Sequence, residues 1–125
     1  MIQFRISKDF ERQFKRLYKK YRTLPEDLSA LSNQLALTPL SGIDLGDNVR
    51  KIRMAVRAKG KGKSHGLRVI AHVNVIVEAN DGVITYLYIY DKSEIANISD
   101  EKVAELLKEL MSNHYCPLKN KEHQR

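Results

Sequence analysis

Apolar side chains follow two different periods in the first part of this chain. Residues 2–6 (IQFRI) alternate between apolar and polar, as a short strand does. The apolar positions then recur at helical spacing, at Phe10, Phe14, Leu17, Tyr18 and Tyr21. A second helix is predicted after Thr23, because Thr23 and Glu26 fit a capping box and are followed by an apolar stripe of Leu28, Leu31 and Leu35. The pattern therefore predicts a strand followed by a hairpin of two helices.

Three more strands and a last helix are predicted in the rest of the chain. Residues 38–48 are dense in turn formers and are expected to be a connection. Strands are predicted at 49–57, 67–79 and 83–91, and Asn80-Asp81-Gly82 supplies the left-handed conformations of a tight hairpin between the last two. Ser99 can cap a final helix whose apolar face is Val103, Leu106, Leu107, Leu110 and Met111.

The predicted order β-α-α-β-β-β-α indicates a single α+β domain, with a mainly antiparallel sheet and helices on one face of it. We expect this domain to span residues 1–111. Residues 112–125 show no periodicity and are expected to form a flexible C-terminal tail. The sheet face without helices is then expected to be open.

Composition narrows the partners and the compartment. The 125 residues carry a formal net charge of +7, which favours RNA, DNA or an acidic protein as a partner. The single Cys116 rules out an intramolecular disulfide framework and provides no metal cluster, so the cytoplasm is expected. No apolar signal core follows Met1, and Arg68, His72 and Asn74 interrupt the most apolar stretch. We therefore expect neither secretion nor a membrane span.

Strand alternation predicts that basic and aromatic side chains share the open face. In the strand 49–57 the exposed set is Lys51, Arg53 and Arg57, opposite a buried set of Ile52, Met54 and Val56. In the next strand Arg68 and His72 are predicted to join them. In the last strand Leu87 and Ile89 are expected in the core, and the open face is expected to carry Tyr86, Tyr88, Tyr90 and, just past the strand, Lys92. Such a face suits single-stranded nucleic acid, because phosphates meet cations and bases stack on aromatic rings.

The loop AKGKGKSHG at 58–66 does not fit a nucleotide-binding motif. A phosphate loop would need glycine where Arg57 stands, and the dinucleotide fingerprint would need glycine in place of His65. We instead expect the loop to contact an RNA backbone through Lys59, Lys61 and Lys63. Taken alone, a lysine-rich loop is more often a solvated hairpin, and His72 is more often a surface or core-edge histidine than a proton-transfer group. The convergence of cations from three strands favours the functional interpretation.

Three motifs occur in a fixed order: RKIR, GKS-x-G-x-RVI and Y-x-K-S-E, all between residues 49 and 94. In these motifs, and over residues 4–110, the chain resembles the RelE/HigB superfamily of bacterial toxins from toxin–antitoxin pairs. The resemblance implies a small domain with a curved sheet that enters the 30S A site, contacts ribosomal RNA and cuts mRNA. It also implies a cognate antitoxin that holds the toxin inactive, and no metal or cofactor.

Carried over by position, the resemblance implies a catalytic set of Lys51, Arg53, Arg68 and Lys92. The implied reaction is attack of the RNA 2′-hydroxyl on the adjacent phosphorus, which leaves a 2′,3′-cyclic phosphate. We assign Arg53 and Arg68 to the phosphate, Lys51 to base or electrostatic duty and Lys92 to the leaving group. The expected RNA contacts around them are Arg50, Arg57, Lys59, Lys61, Lys63, His72, Tyr88 and Tyr90. Some relatives carry a tyrosine shortly after the last strand, but residues 93–99 (SEIANIS) contain none, which leaves Tyr88 or Tyr90 as candidates.

Two other functions remain open at this stage. The same superfamily contains ParE-like toxins that bind a protein target such as gyrase and catalyse nothing, and a plain RNA-binding module would display a similar basic face. The four cations favour the nuclease, because the gyrase poisons generally lack them. An assay for cleaved product separates the three functions.

Overall fold

A computed structural model describes residues 1–59, 66–112 and 115–117, the last three through their backbone. Over these residues the α+β architecture and the predicted order of helices and strands are confirmed, with two additional short strands. The elements in chain order are β1 (Ile2–Ser7), α1 (Lys8–Tyr18), α2 (Leu24–Leu37), β2 (Ile43–Gly46), β3 (Val49–Met54), β4 (Leu67–Ile76), β5 (Asp81–Asp91), α3 (Asp100–Met111) and β6 (Tyr115–Pro117).

The described strands form one sheet in the order β2-β3-β4-β5-β1-β6. Neighbouring strands are antiparallel except for β1 and β5, which run parallel. The predicted hairpin between β4 and β5 is confirmed, with Asn80 at φ 51° and Gly82 at φ 147°. A Cβ at Gly82 would lie 2.3 Å from the carbonyl oxygen of Asn74, so this turn requires glycine for space as well as for conformation.

The strands β2 and β6 lie in segments for which no strand is predicted. The turn between β2 and β3 has Asp47 at φ 53° and Asn48 at φ 64°, which is the pair of left-handed residues that a two-residue hairpin needs. The connection expected at 38–48 is therefore wrong for residues 43–46. Both strands are short and lie at the sheet edges, and all four residues of β2 are exposed, so no buried face imposes an alternating pattern on β2. Flexibility of the rest of the tail stays a prediction.

The two faces of the sheet are covered by different helices. Helices α1 and α2 pack on one face, where Phe10, Leu17, Leu24 and Leu35 meet strand residues such as Ile52, Val69 and Ile84. Helix α3 packs on the other face, where Leu106 is buried with Val49, Ile70, Leu87 and Tyr90. The expectation that all helices share one face is therefore wrong for α3. The apolar residues of the second face need a cover, and the apolar stripe of α3 supplies it.

A β-bulge in β5 changes the side to which its side chains point. Ile70 pairs with Tyr88 but the next residue of β4, Ala71, pairs with Tyr86, so Leu87 is the extra residue. Tyr86 consequently enters the core under α1, with its ring centroid 5.3 Å from that of Phe10, whereas Leu87 faces α3. The predicted sides of Tyr86 and Leu87 are thus wrong. Beyond the bulge the predicted sides of Tyr88, Ile89 and Tyr90 hold.

The helix starts are set by short polar side chains. Ser99 caps α3 as predicted, because its Oγ accepts the N–H of Lys102 at 3.0 Å. The capping box predicted at Thr23 does not form, since the Thr23 hydroxyl donates to Asp27 Oδ2 at 2.7 Å instead. Among the described residues no helix has the length and apolar character that crossing a membrane requires.

Candidate functional site

The four predicted catalytic residues line one cleft on the α3 side of the sheet. The cleft has a volume of about 760 Å³ and lies between β3, β4, the end of β5 and the segment that leads to α3. Its lining consists of Lys51, Arg53, Arg68, Tyr90, Lys92 and Asn97, together with Gln34, Ile52, Ala96 and residues 41–43. Four cations from three strands and their flanks therefore converge on one concave surface.

Two arginines lie directly opposite each other across the strands. Arg53 of β3 pairs in register with Arg68 of β4, which in turn pairs with Tyr90 of β5. Arg68 is only 4% exposed and Tyr90 1%, whereas Arg53 is exposed. Like charges directly opposite each other destabilise a sheet. An anion bound between the two side chains would offset their repulsion.

Lys51 is fixed by a residue that the motifs do not include. It lies two positions before Arg53 on the same face of β3, and its Nζ donates to Asn97 Oδ1 at 3.0 Å. Asn97 belongs to the connection between β5 and α3, where nothing in the sequence marks it. The groove next to the cleft, of about 610 Å³, shares Lys51 and Asn97 with it and continues along α3.

A buried carboxylate anchors the end of β5. Asp91 is fully buried and accepts hydrogen bonds from Tyr21 Oη at 2.6 Å, Lys59 Nζ at 3.0 Å, and the Ser93 N–H and Oγ at 3.0 and 2.9 Å. Burial raises the pKa of Asp91, but the hydrogen bonds from Tyr21, Ser93 and Lys59 outweigh it and hold that pKa well below the usual range. Lys59, predicted to contact RNA, therefore forms a largely buried ion pair.

The segment after Asp91 is tied to α1 as well. Arg16 of α1 makes a two-pronged contact with Glu94, at 2.9 and 3.3 Å. The hydrogen bond from Arg16 to Glu94 raises the pKa of the arginine. The carbonyl oxygen of Asp91 also accepts the N–H groups of Glu94 and Ile95, at 2.8 and 3.1 Å. Lys92 and Asn97 thus come from a segment held at several points.

Two of the predicted RNA contacts on and after β3 lie away from the cleft. Arg50 points to the face of α1 and α2, where its Nε donates to the Ser41 carbonyl oxygen at 2.8 Å. Arg57 follows the strand and is exposed, with its Nε 4.0 Å from Asp27 Oδ1. Lys61 and Lys63 lie outside the described residues.

His72 and Tyr88 share the cleft face without lining the cleft. His72 is half-buried opposite Val49, and burial lowers its pKa. Tyr88 lies beside α3, where the Nζ of Lys102 is 4.9 Å from its ring centroid. Of the predicted aromatic contacts, Tyr90 is thus the one that the described residues place in the cleft. Those residues contain no group of three or more His, Cys, Asp or Glu side chains that could hold a metal ion.

The chain matches one family model over residues 4–125, and that model describes the RelE toxin of the RelE/RelB toxin–antitoxin system. No curated protein matches the chain. The matched range contains the four cations of the cleft and every element except the first two residues of β1. The resemblance seen in the motifs is confirmed, and the chain belongs to the RelE toxin family of toxin–antitoxin systems.

Proposed function

We propose that this toxin is a ribosome-dependent endoribonuclease that cuts mRNA and thereby inhibits translation. Toxins of the RelE family are generally ribonucleases, which supports the class of reaction. The observation that carries the proposal is the cross-strand pair Arg53 and Arg68 in a cleft that also holds Lys51 and Lys92. A phosphodiester is the anionic group that such a cluster suits best.

The chemistry begins with the 2′-hydroxyl of the RNA. Its oxygen attacks the neighbouring phosphorus, the bond from phosphorus to the 5′ oxygen breaks, and the products are a 2′,3′-cyclic phosphate and a 5′-hydroxyl. One proton leaves the 2′-oxygen and one reaches the departing 5′-oxygen. Lys51 takes the first proton or acts through its charge, and Lys92, which is exposed at the cleft, supplies the second.

The two arginines stabilise the charge that builds up on phosphorus. A guanidinium group presents paired N–H donors that match two phosphate oxygens. Removing a group that stabilises a developing oxyanion costs about 100-fold to 1,000-fold in rate. Arg68 is the more rigid of the two, since its side chain is buried between its neighbours in β3 and β5.

Tyr90 is the aromatic residue that lines the cleft. It pairs in register with Arg68, which in turn pairs with Arg53. Burial raises the pKa of Tyr90, although the charge of Arg68 and a hydrogen bond with the backbone of Ile98 act in the opposite direction. Tyr90 therefore stays a neutral phenol at physiological pH. With 1% exposure its ring has little surface for a base to stack on, so we assign it to shaping the cleft beside Arg68.

The partners follow from the reaction and from the family. A RelE-family toxin has an antitoxin partner. The substrate is mRNA on the ribosome, and the site of action is the 30S A site in the cytoplasm. An acidic or amphipathic antitoxin segment that covers the cationic cleft would inhibit directly, whereas one bound elsewhere would have to block entry to the ribosome.

The experiment adds the purified protein to a cell-free translation reaction, with and without ribosomes, and maps new mRNA 5′ ends by primer extension. Arg53→Ala and Arg68→Ala should abolish the new ends, whereas Arg22→Ala, at an exposed position outside the cleft, should leave them. Circular dichroism checks that the variants fold. If no ends appear under any condition although cells stop growing, the protein is a toxin that binds a protein target; binding of RNA without cleavage would indicate the RNA-binding module.

A further inference from the structure

The connection between β5 and α3 carries a polar side chain that contacts the cleft from outside the family motifs. The Oδ1 atom of Asn97 accepts a hydrogen bond from Lys51 Nζ at 3.0 Å and a second one from the N–H of Ile98, also at 3.0 Å. Both partners are donors, so the amide oxygen and not the amide nitrogen must face them. The N–H of Ile98 therefore fixes the orientation of the amide oxygen that accepts the hydrogen bond from Lys51.

Asn97 is itself held between two fixed points. Before it, the Asp91 carbonyl oxygen accepts the N–H of Glu94 at 2.8 Å, and Glu94 pairs with Arg16. After it, Ser99 caps α3. A lysine side chain loses rotamer entropy on being fixed. An acceptor carried by such an anchored segment can fix the Lys51 amino group before RNA arrives.

An amide orients an amine without changing the charge of the site. Within the cleft, Arg53, Arg68 and Lys92 accompany Lys51, and the adjoining groove adds Asp47, Asp100 and Lys108. A carboxylate in place of the Asn97 amide would pair with Lys51 and favour its ammonium form. It would also cancel one of the charges available to the phosphate. The neutral amide of Asn97 therefore leaves Lys51 able either to exchange a proton or to present its full charge to the phosphate.

We propose that Asn97 is a positioning residue, which holds the amino group of Lys51 in the geometry that RNA cleavage needs. This inference rests on the proposed nuclease function and deepens it. Asn97 acts through Lys51, so its removal should slow the chemical step and leave binding to the ribosome intact. Misplacement of a reacting group by about 1 Å can cost about 100-fold in rate.

The test follows single-turnover cleavage of an mRNA on ribosomes with a vacant A site, from pH 6 to pH 9. Asn97→Ala should lower the maximal rate about tenfold or more, with the half-saturating toxin concentration unchanged. Asn97→Asp should also slow cleavage, because its carboxylate favours the ammonium form of Lys51 and cancels one positive charge near the phosphate. Asn74→Asp is the matched control, because it adds the same charge on the face of β4 that carries Arg68, about 20 Å along the strand. This variant should leave the cleavage rate unchanged.

The outcomes separate this inference from the proposed function. Cleavage by Asn97→Ala at the wild-type rate, or a loss that appears only as a higher half-saturating toxin concentration, would overturn the positioning role while the active wild type upholds the nuclease. A wild type that cuts no mRNA on these ribosomes would overturn both. Thermal unfolding of each variant close to that of the wild type shows that the rates belong to folded protein, which the exposure of Asn97 makes the expected result.

Discussion

The two faces of this sheet differ in composition, since one is mainly apolar and the other also carries a cationic cleft. The face under α1 and α2 is a continuous apolar core, with Leu24, Leu35 and Val69 among its fully buried residues. The other face has a smaller cluster around Leu106, and beside it lies the cleft with Arg53 and Arg68. Apolar burial stabilises the first face, whereas the second face brings two like charges into register, an arrangement that generally disfavours a sheet. The fold can therefore carry a strongly cationic site because its stability comes mainly from the opposite side.

The largest effect on stability is expected on the first face. Leu24→Ala removes a fully buried side chain and leaves a cavity, which should lower the free energy of unfolding by about 2–5 kcal/mol. Leu37→Ala, at a position 83% exposed on the same helix, is the control and should change it by less than about 0.5 kcal/mol. Urea unfolding measures both. Equal losses in the two variants would contradict the assignment of the core to this face.

The cleft should show the reverse behaviour. Arg53→Gln should lower ribosome-dependent cleavage about 100-fold, because it removes the donor that we propose for the reacting phosphate. Its free energy of unfolding should stay the same or increase, because one of two opposed like charges is removed. Primer extension and urea unfolding on the same preparation test this. A variant that loses stability instead would show that Arg53 supports the fold, and Arg57→Gln, outside the cleft, controls for the loss of charge.

The buried carboxylate at the end of β5 gives a pH-dependent prediction. The pKa of Asp91 is held below its usual range, so its contribution to stability is complete above about pH 4 and is lost as the pH falls below that value. Asp91→Asn should therefore be less stable than the wild type at pH 7, and the difference should shrink below pH 4. Urea midpoints between pH 7 and pH 2.5 measure it. A difference that is constant over this range would show that Asp91 acts by packing alone.

The smallest effect is expected for the surface contact between α1 and the cleft segment. Arg16→Gln removes a partly exposed ion pair with Glu94 and should cost about 0.2–1 kcal/mol of stability, less at high salt. Cleavage should fall only slightly, because Asp91 and Ser99 still hold the segment. Lys19→Gln, which removes an exposed charge at the C-terminal end of α1, is the comparison. A loss of cleavage as large as that of Arg53→Gln would make the ion pair essential to the cleft.

The sequence was sufficient wherever a buried face imposed a regular pattern. Helical spacing predicted the two helices that cover the core, and alternation placed Lys51, Arg53 and Arg68 on one side of the sheet. Alternation also placed Lys92, just past the last strand, on that side, and it lines the same cleft. These predictions succeed because burial acts on every second residue of a strand and on every third or fourth residue of a helix.

The remaining features depend on single contacts that no periodicity reveals. Asn97 reaches Lys51 across the fold, from a position 46 residues later in the chain. Lys59 resembles any loop lysine in the sequence, yet a buried Asp91 and the ring of Tyr21 hold it. The apolar stripe of α3 does not determine which face of the sheet this helix covers, because an amphipathic helix can pack on either face. Here the apolar Ile70 and Leu87 decide the face.

The bulge in β5 has a consequence for how this strand can change in length. Leu87 and Tyr88 both point toward α3, so the alternation is out of phase only at that step. Loss of Leu87 alone would restore a regular strand in which every other side chain keeps its side, including Tyr86 in the core and Tyr90 in the cleft. Loss of Ile84, by contrast, would disturb the alternation on the core side of the strand. Because Leu87 and Tyr88 point to the same side, loss of Tyr88 would have the same geometric result, so tolerance to deletion in β5 is concentrated at these two residues.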